Sequence, residues 1–128
     1  MELRSSLGRV RGLGSAKEGV RDWWAQRVTA IALVPLSIWF VVAVISLMGA
    51  DYTEYQAWIG QFGNALLMIL TALVLFYHGY LGMQVVIEDY VHGEGARVIT
   101  LLFFKFVLAA LAVSCVLAVV LVALGAYR

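Results

Sequence analysis

His78-Gly79-Tyr80-Leu81-Gly82-Met83-Gln84-Val85-Val86-Ile87-Glu88-Asp89-Tyr90-Val91-His92 opens with a histidine inside an apolar run and closes on charge. Between Tyr55 and Ile87 no residue is charged, so His78 lies deep in a stretch that predicts a membrane helix. An ionisable residue in that setting is costly enough to be a functional-site candidate by default. At a rise of about 1.5 Å per residue, His78 and Asp89 stand roughly 16 Å apart along such a helix. With Asp89 at the interface, the imidazole falls near the middle of a hydrocarbon core about 30 Å thick. At about 100° per residue the two positions also return to within roughly 20° of each other around the axis. One helical stripe therefore carries a polar group in the membrane and a polar cluster at its rim.

The composition of the whole chain agrees with that reading. Of 128 residues, 63% are hydrophobic and 13% charged, and the mean hydropathy is +0.92. A soluble domain carries about 25% charged residues, so an integral membrane protein is expected. The net charge of +1, with no basic patch interleaved with aromatic residues, gives no sign of a nucleic-acid partner. The single cysteine, Cys115, lies in a late apolar run and reads as a packing or lipid-facing residue. The first apolar run follows 27 mostly polar residues and is too long for the core of a secretory signal, so none is expected. So few helices cannot enclose a large cavity alone, which points to partner subunits.

The sequence predicts an all-α integral membrane protein with three transmembrane helices and a short N-terminal interfacial segment. Residues 1–14, with Arg4, Arg9 and Arg11 among Gly and Ser, are expected to form a flexible basic tail at the membrane surface. Residues 15–128 then form the anchor domain. Ser15 with Glu18 three residues on has the spacing of a capping box and predicts a helix start there. Trp23 and Trp24, among charges, suit the headgroup level. The three spans are expected at about 28–50, 62–88 and 98–125. Pro35 is expected to kink the first, and Asp51–Trp58 reads as a short acidic, aromatic turn. A second turn around Gly93 and Gly95 leads into the third span, which is interrupted only by Lys105. That lysine sits about two turns in and reads as one whose ammonium snorkels back to the headgroups.

Basic residues give an orientation. Arg4, Arg9, Arg11, Lys17, Arg21 and Arg27 precede the first span and Arg97 lies in the second turn, whereas the first turn has none and the C-terminus only Arg128. With three spans the count is seven on one side against one on the other, Lys105 left aside. The positive-inside rule puts the N-terminus in the cytoplasm, or the matrix of an organelle, and the C-terminus outside. Arg27, Asp89 and Tyr90 then share the inner interface.

Two readings of His78 stand side by side. It can hydrogen-bond to a neighbouring helix, or its neutral imidazole can be an axial ligand to haem iron. Gly79 and Gly82 beside it would let a flat macrocycle approach the backbone, and equally serve helix packing. No second histidine lies within a span, so a bis-histidine haem would need its other ligand from another subunit. Arg27 reads either as an interfacial anchor or as a partner for Asp89 or for haem propionates. Asp89 and Tyr90 read either as a plain helix end or as a phenol and carboxylate that serve a quinone carbonyl. Trp23 and Trp24 are interfacial anchors or a pocket wall.

These residues resemble a known family. From about Gly14 to Arg128 the chain is similar to the smaller hydrophobic anchor subunit of succinate dehydrogenase, complex II. The resemblance rests on Gly19-Val-Arg-Asp-Trp-Trp-Ala-Gln-Arg27-Val-Thr-Ala-Ile-Ala-Leu33, and on His78 through Asp89-Tyr90 with Gly82 and Gln84 between. The larger anchor subunit carries a Ser-x-x-His-Arg-x-Thr-Gly segment that is absent here. The resemblance implies that His78 is one axial ligand of a haem b shared with the larger anchor subunit, with Arg27 near its propionates. It implies that Tyr90, with Asp89 beside it, hydrogen-bonds ubiquinone. It also implies a flavoprotein subunit and an iron–sulfur subunit docked on the inner face of a bacterial cytoplasmic or mitochondrial inner membrane. Electrons from succinate oxidation would pass through the clusters to quinone, and this chain alone would not be catalytic. A fumarate reductase anchor using menaquinone, and a non-redox helical subunit, are the other classes to which these residues are compatible.

Overall fold

The computed structural model describes residues 9–126, with side chains described from Gly19 onward. Among the described residues four helices follow in order: α1 (Arg9–Ser46), α2 (Tyr52–Ile59), α3 (Phe62–Tyr90) and α4 (Glu94–Ala123). The described residues contain no strand. Among the described residues three helical stretches are long and apolar enough to cross a membrane: Gly19–Ser46, Phe62–Tyr90 and Glu94–Ala123. The all-helical, three-span architecture expected from the sequence is therefore the observed one.

The boundaries differ from expectation in instructive ways. α1 already runs at Arg9 and passes through Ser15, so the Ser15–Glu18 spacing lies inside a helix and starts nothing. The rest of the expected tail, residues 1–8, lies outside the described residues. α1 continues through Pro35 and ends at Ser46, four residues short of the expected limit. Gly49 ends it, with φ at +86° in the left-handed region that glycine enters without steric cost.

The segment read as a turn is instead the helix α2. Asp51 caps it: its Oδ1 accepts from the Glu54 backbone N–H at 2.8 Å, and Glu54 Oε2 accepts from the Asp51 N–H at 3.2 Å. This reciprocal capping box satisfies donors that a helix start leaves unpaired. Tyr55 and Trp58 of α2 are half-buried, and Trp39 of α1 stacks on Trp58 at 6.0 Å between centroids. Gln56 Nε2 donates to the Val122 carbonyl of α4 at 3.3 Å, and Asn64 Nδ2 of α3 donates to the Trp58 carbonyl at 2.9 Å. α2 thus closes one end of the bundle. Ile59 at its C-terminus is the largest fully buried side chain among the described residues. α4 finishes at that end with Gly125 at φ +78°, the Ala126 N–H bonding to the Leu121 carbonyl and the Gly125 N–H to that of Val122. That pairing is a Schellman stop.

α3 is the central helix. α1 and α4 each pack against it, and among the described residues the backbones of α1 and α4 do not closely approach each other. A cleft of ≈ 540 Å³ lies between them, lined by Leu33 and Phe40 of α1, Phe76 of α3 and Cys115 of α4. Among the described residues few side chains are buried: Ala43, Ile59, Leu81, Ile87, Val119 and the polar Thr29. Large apolar residues such as Ile31 and Phe62 stay exposed. Such a surface suits contact with lipid tails and other membrane helices, where exposure of leucine or isoleucine carries no hydrophobic penalty.

Candidate functional site

His78 lies on the side of α3 that packs on α1, and the residue it meets is Thr29. Thr29 is 8% exposed, the one polar residue in the small buried set. Its Oγ1 lies 2.7 Å from the Ala25 carbonyl and 3.1 Å from that of Gln26, the back-bonding to the preceding turn that a threonine makes in a helix. The same oxygen is 2.8 Å from His78 Nδ1. A hydroxyl has one proton and two lone pairs. With the proton given to a backbone carbonyl, the oxygen is left to accept, and the bond to the ring runs from Nδ1–H to Oγ1. The geometry therefore supports the neutral tautomer with hydrogen on Nδ1 and a lone pair on Nε2.

This is the arrangement a metal-binding imidazole needs. A ligating histidine donates its other ring N–H to a fixed acceptor, which sets both tautomer and ring orientation. His78 is half-buried, and among the described residues Nε2 has no hydrogen-bond partner. A Cβ placed on Gly79 or Gly82 would meet nothing of this chain within 4 Å. The backbone beside His78 is thus open to a flat group or to another subunit. No cluster of three His, Cys, Asp or Glu side chains occurs among the described residues. The residues present fit a single axial ligand to a haem iron, with the rest of the cofactor's enclosure supplied from outside the chain.

Toward the Tyr90 end, α1 and α3 border a cleft of ≈ 450 Å³. Arg27, Trp23 and Asp22 line it from α1, and Gln84 and Glu88 from α3. The Arg27 guanidinium carbon lies 5.2 Å from the centre of the Trp23 ring, within cation–π range. Gln84 Nε2 stands 3.4 Å from Glu88 Oε2 and 3.5 Å from Asp22 Oδ2, a loose polar bridge between the two helices. Among the described residues no ion pair joins Arg27 to Asp89. Trp23 packs edge-on against Trp24 at 5.1 Å, and both indoles are about half exposed.

Asp89 and Tyr90 are the last two residues of α3, and both side chains are exposed. Tyr90 retains 76% of its surface, so nothing in this chain buries its phenol. Neither lines the Arg27 cleft. Of the four residues singled out in the sequence, the fold sets Arg27 near the base of the helix pair that holds His78. Asp89 and Tyr90 stand apart at the exposed tip. Thr29 was not singled out at all, although it lies in the same quoted segment two residues after Arg27. A hydroxyl at the very start of the first expected span was the available signal.

The family described as succinate dehydrogenase/fumarate reductase transmembrane subunit matches residues 1–125. The succinate dehydrogenase hydrophobic membrane anchor subunit of Paracoccus denitrificans is 33% identical over 117 residues, covering 91% of this chain and 90% of that one. The corresponding Rickettsia conorii subunit is 32% identical over 91 residues, 70% of this chain and 72% of its own. The succinate dehydrogenase membrane anchor subunit of Reclinomonas americana is 33% identical over 94 residues, 71% and 78% of the two chains.

Proposed function

We propose that this chain, which belongs to the succinate dehydrogenase/fumarate reductase transmembrane subunit family and is a multi-pass membrane anchor subunit of a succinate dehydrogenase complex, supplies through His78 one axial ligand of a haem b. The other subunits of the complex follow from that membership. In this reading the second axial ligand comes from the larger anchor subunit, and a flavoprotein and an iron–sulfur subunit dock on the cytoplasmic or matrix face. When bound, haem b supplies one-electron chemistry inside the membrane.

The observation that carries the haem assignment is the 2.8 Å contact between Thr29 Oγ1 and His78 Nδ1. It holds the ring with Nε2 free to donate its lone pair, at a depth where a neutral imidazole avoids the cost of intramembrane charge. Arg27 is read as the cation nearest the propionates, its guanidinium already braced on Trp23. Tyr90 and Asp89 form this chain's edge of the ubiquinone-reduction site. The exposed phenol donates a hydrogen bond to a quinone carbonyl, and the adjacent Asp89 side chain stands beside it at the rim, where water can supply protons. The remaining wall comes from partner subunits.

Replacing His78 with Ala in the assembled complex tests the ligand. The reduced b-type absorption band should be lost or displaced, while succinate oxidation with an artificial acceptor survives, because that chemistry belongs to the soluble subunits. An unchanged haem spectrum in an assembled His78→Ala complex would remove His78 from the iron.

A further inference from the structure

Lys105 is a charge inside a transmembrane helix, and neither the haem nor the quinone assignment uses it. It lies in α4, where among the described residues no carboxylate pairs with it. It borders a cleft of ≈ 290 Å³ between α3 and α4. This cleft is lined from those two helices only, whereas His78 meets α1.

The cleft has a polarity gradient. Tyr80 lies ten residues from the Tyr90 end of α3, about 15 Å along its axis, and Lys105 lies eleven residues from the Glu94 end of α4, about 16 Å. Lys105 and Tyr80, with Tyr77 one turn further in, therefore form one polar level. Beyond them the lining is apolar: Phe76 and Leu73 on α3, Leu108 and Ala109 on α4. The small side chain of Ala109 leaves room along the helix surface.

Depth decides what this lysine can reach. α4 has 30 residues, a length of about 45 Å, and centred on a hydrocarbon core of about 30 Å it projects roughly 7 Å at each end. The Lys105 Cα then lies about 9 Å below the hydrocarbon boundary. Helical Cα–Cβ bonds tilt toward the N-terminus, which for α4 is the nearer rim. The four-carbon stem consequently carries the ammonium back toward the level of lipid ester and phosphate groups. A cation at that level above an apolar slot is complementary to a phosphodiester joined to acyl chains.

We infer that the α3–α4 cleft binds an anionic phospholipid of the leaflet on the Tyr90 side, its phosphate paired with Lys105 and an acyl chain laid along Phe76, Leu73 and Leu108. A carboxylate on a partner's transmembrane helix could neutralise Lys105, but it would make no use of an apolar slot that begins at the lysine and runs inward. The site is independent of the haem and quinone assignments.

The test uses the complete complex, purified in mild detergent, with bound lipid identified by native mass spectrometry. The wild-type complex should retain an anionic phospholipid that Lys105→Gln loses and Lys105→Arg keeps. Ala109→Phe, which fills the slot and leaves the charge, should lose it too, and this variant decides the matter if Lys105→Gln fails to assemble. Phosphatidylglycerol added to delipidated complex should raise the thermal midpoint of wild type and not of Lys105→Gln, whereas phosphatidylcholine should raise neither. Equal retention in wild type and an assembled Lys105→Gln complex, or in wild type and Ala109→Phe, would overturn the site. So would a zero-length cross-link from Lys105 to a partner's carboxylate.

Discussion

Thr29 and His78 are 49 positions apart in sequence and meet at 2.8 Å between Oγ1 and Nδ1. The contact joins the first transmembrane helix to the central one. Interhelical hydrogen bonds in membrane proteins contribute on average about 0.6 kcal/mol and at most about 1.7 kcal/mol. Stability alone is therefore a modest role for this pair. Its larger consequence is chemical: with the Thr29 proton given to a backbone carbonyl, the ring donates from Nδ1 and Nε2 keeps its lone pair.

Thr29→Val keeps the branched shape and removes the acceptor for Nδ1–H. Changes to such supporting partners of a metal ligand typically cost about 10–100-fold in affinity. Haem retention in the purified complex, measured as the haem-to-flavin ratio, should fall, and the low-spin haem signal in paramagnetic resonance should shift. Thr29→Ser should retain both properties. Unchanged haem content and resonance in Thr29→Val would reduce the contact to helix packing.

The three spans were legible because lipid imposes a simple requirement: about twenty apolar residues in a row. His78 was legible for the same reason, as a polar exception to an apolar rule. What supports it was not. Thr29 is a common residue in membrane helices, and only the register between α1 and α3 shows which of its neighbours it faces. α2 was missed although its signal was present, because Asp51 and Glu54 have the same three-residue spacing as Ser15 and Glu18. The spacing is local, whereas α2 is also held by Trp39 and by the carbonyl of Val122, which come from distant parts of the chain. At Ser15 the chain is already helical on both sides, so the same pattern caps nothing.

Ile59 is 0% exposed where α2 closes the bundle. Truncating a buried isoleucine to alanine removes its transfer energy and leaves a cavity, at a cost of about 2–5 kcal/mol. Ile59→Ala should lower the thermal inactivation midpoint of the complex without altering its haem spectrum, because it lies at the end of the bundle away from Tyr90. A midpoint equal to wild type would show that α2 is not needed to hold the helices together.

The seven-to-one distribution of basic residues predicts the N-terminus inside and the C-terminus outside. A reporter active only in the cytoplasm, fused after Arg128, should be silent, and one active only outside should be bright. Strong cytoplasmic reporter activity would reverse the orientation. It would also move Asp89 and Tyr90 to the face opposite the soluble subunits, which no quinone-reduction role for them could survive.

Tyr90→Phe isolates the phenol. The ring closes α3 with 76% of its surface exposed and has no role in burial within this chain, so the substitution leaves packing untouched. A neutral hydrogen bond to a quinone carbonyl is worth about 0.5–1.5 kcal/mol net, or roughly 2–13-fold in binding, since 1.4 kcal/mol is about tenfold. If the bond tightens as negative charge builds on the oxygen being reduced, its loss slows turnover as well as weakening binding. The expected result is impaired succinate–quinone reductase activity, with both kcat and KM affected, beside an intact haem spectrum and normal succinate oxidation with an artificial acceptor. That split separates the quinone site from haem binding and from dehydrogenase chemistry. Unimpaired quinone kinetics in a fully assembled Tyr90→Phe complex would leave the tyrosine as an interfacial anchor at the end of α3, and the quinone carbonyl would have to find its donor on another subunit.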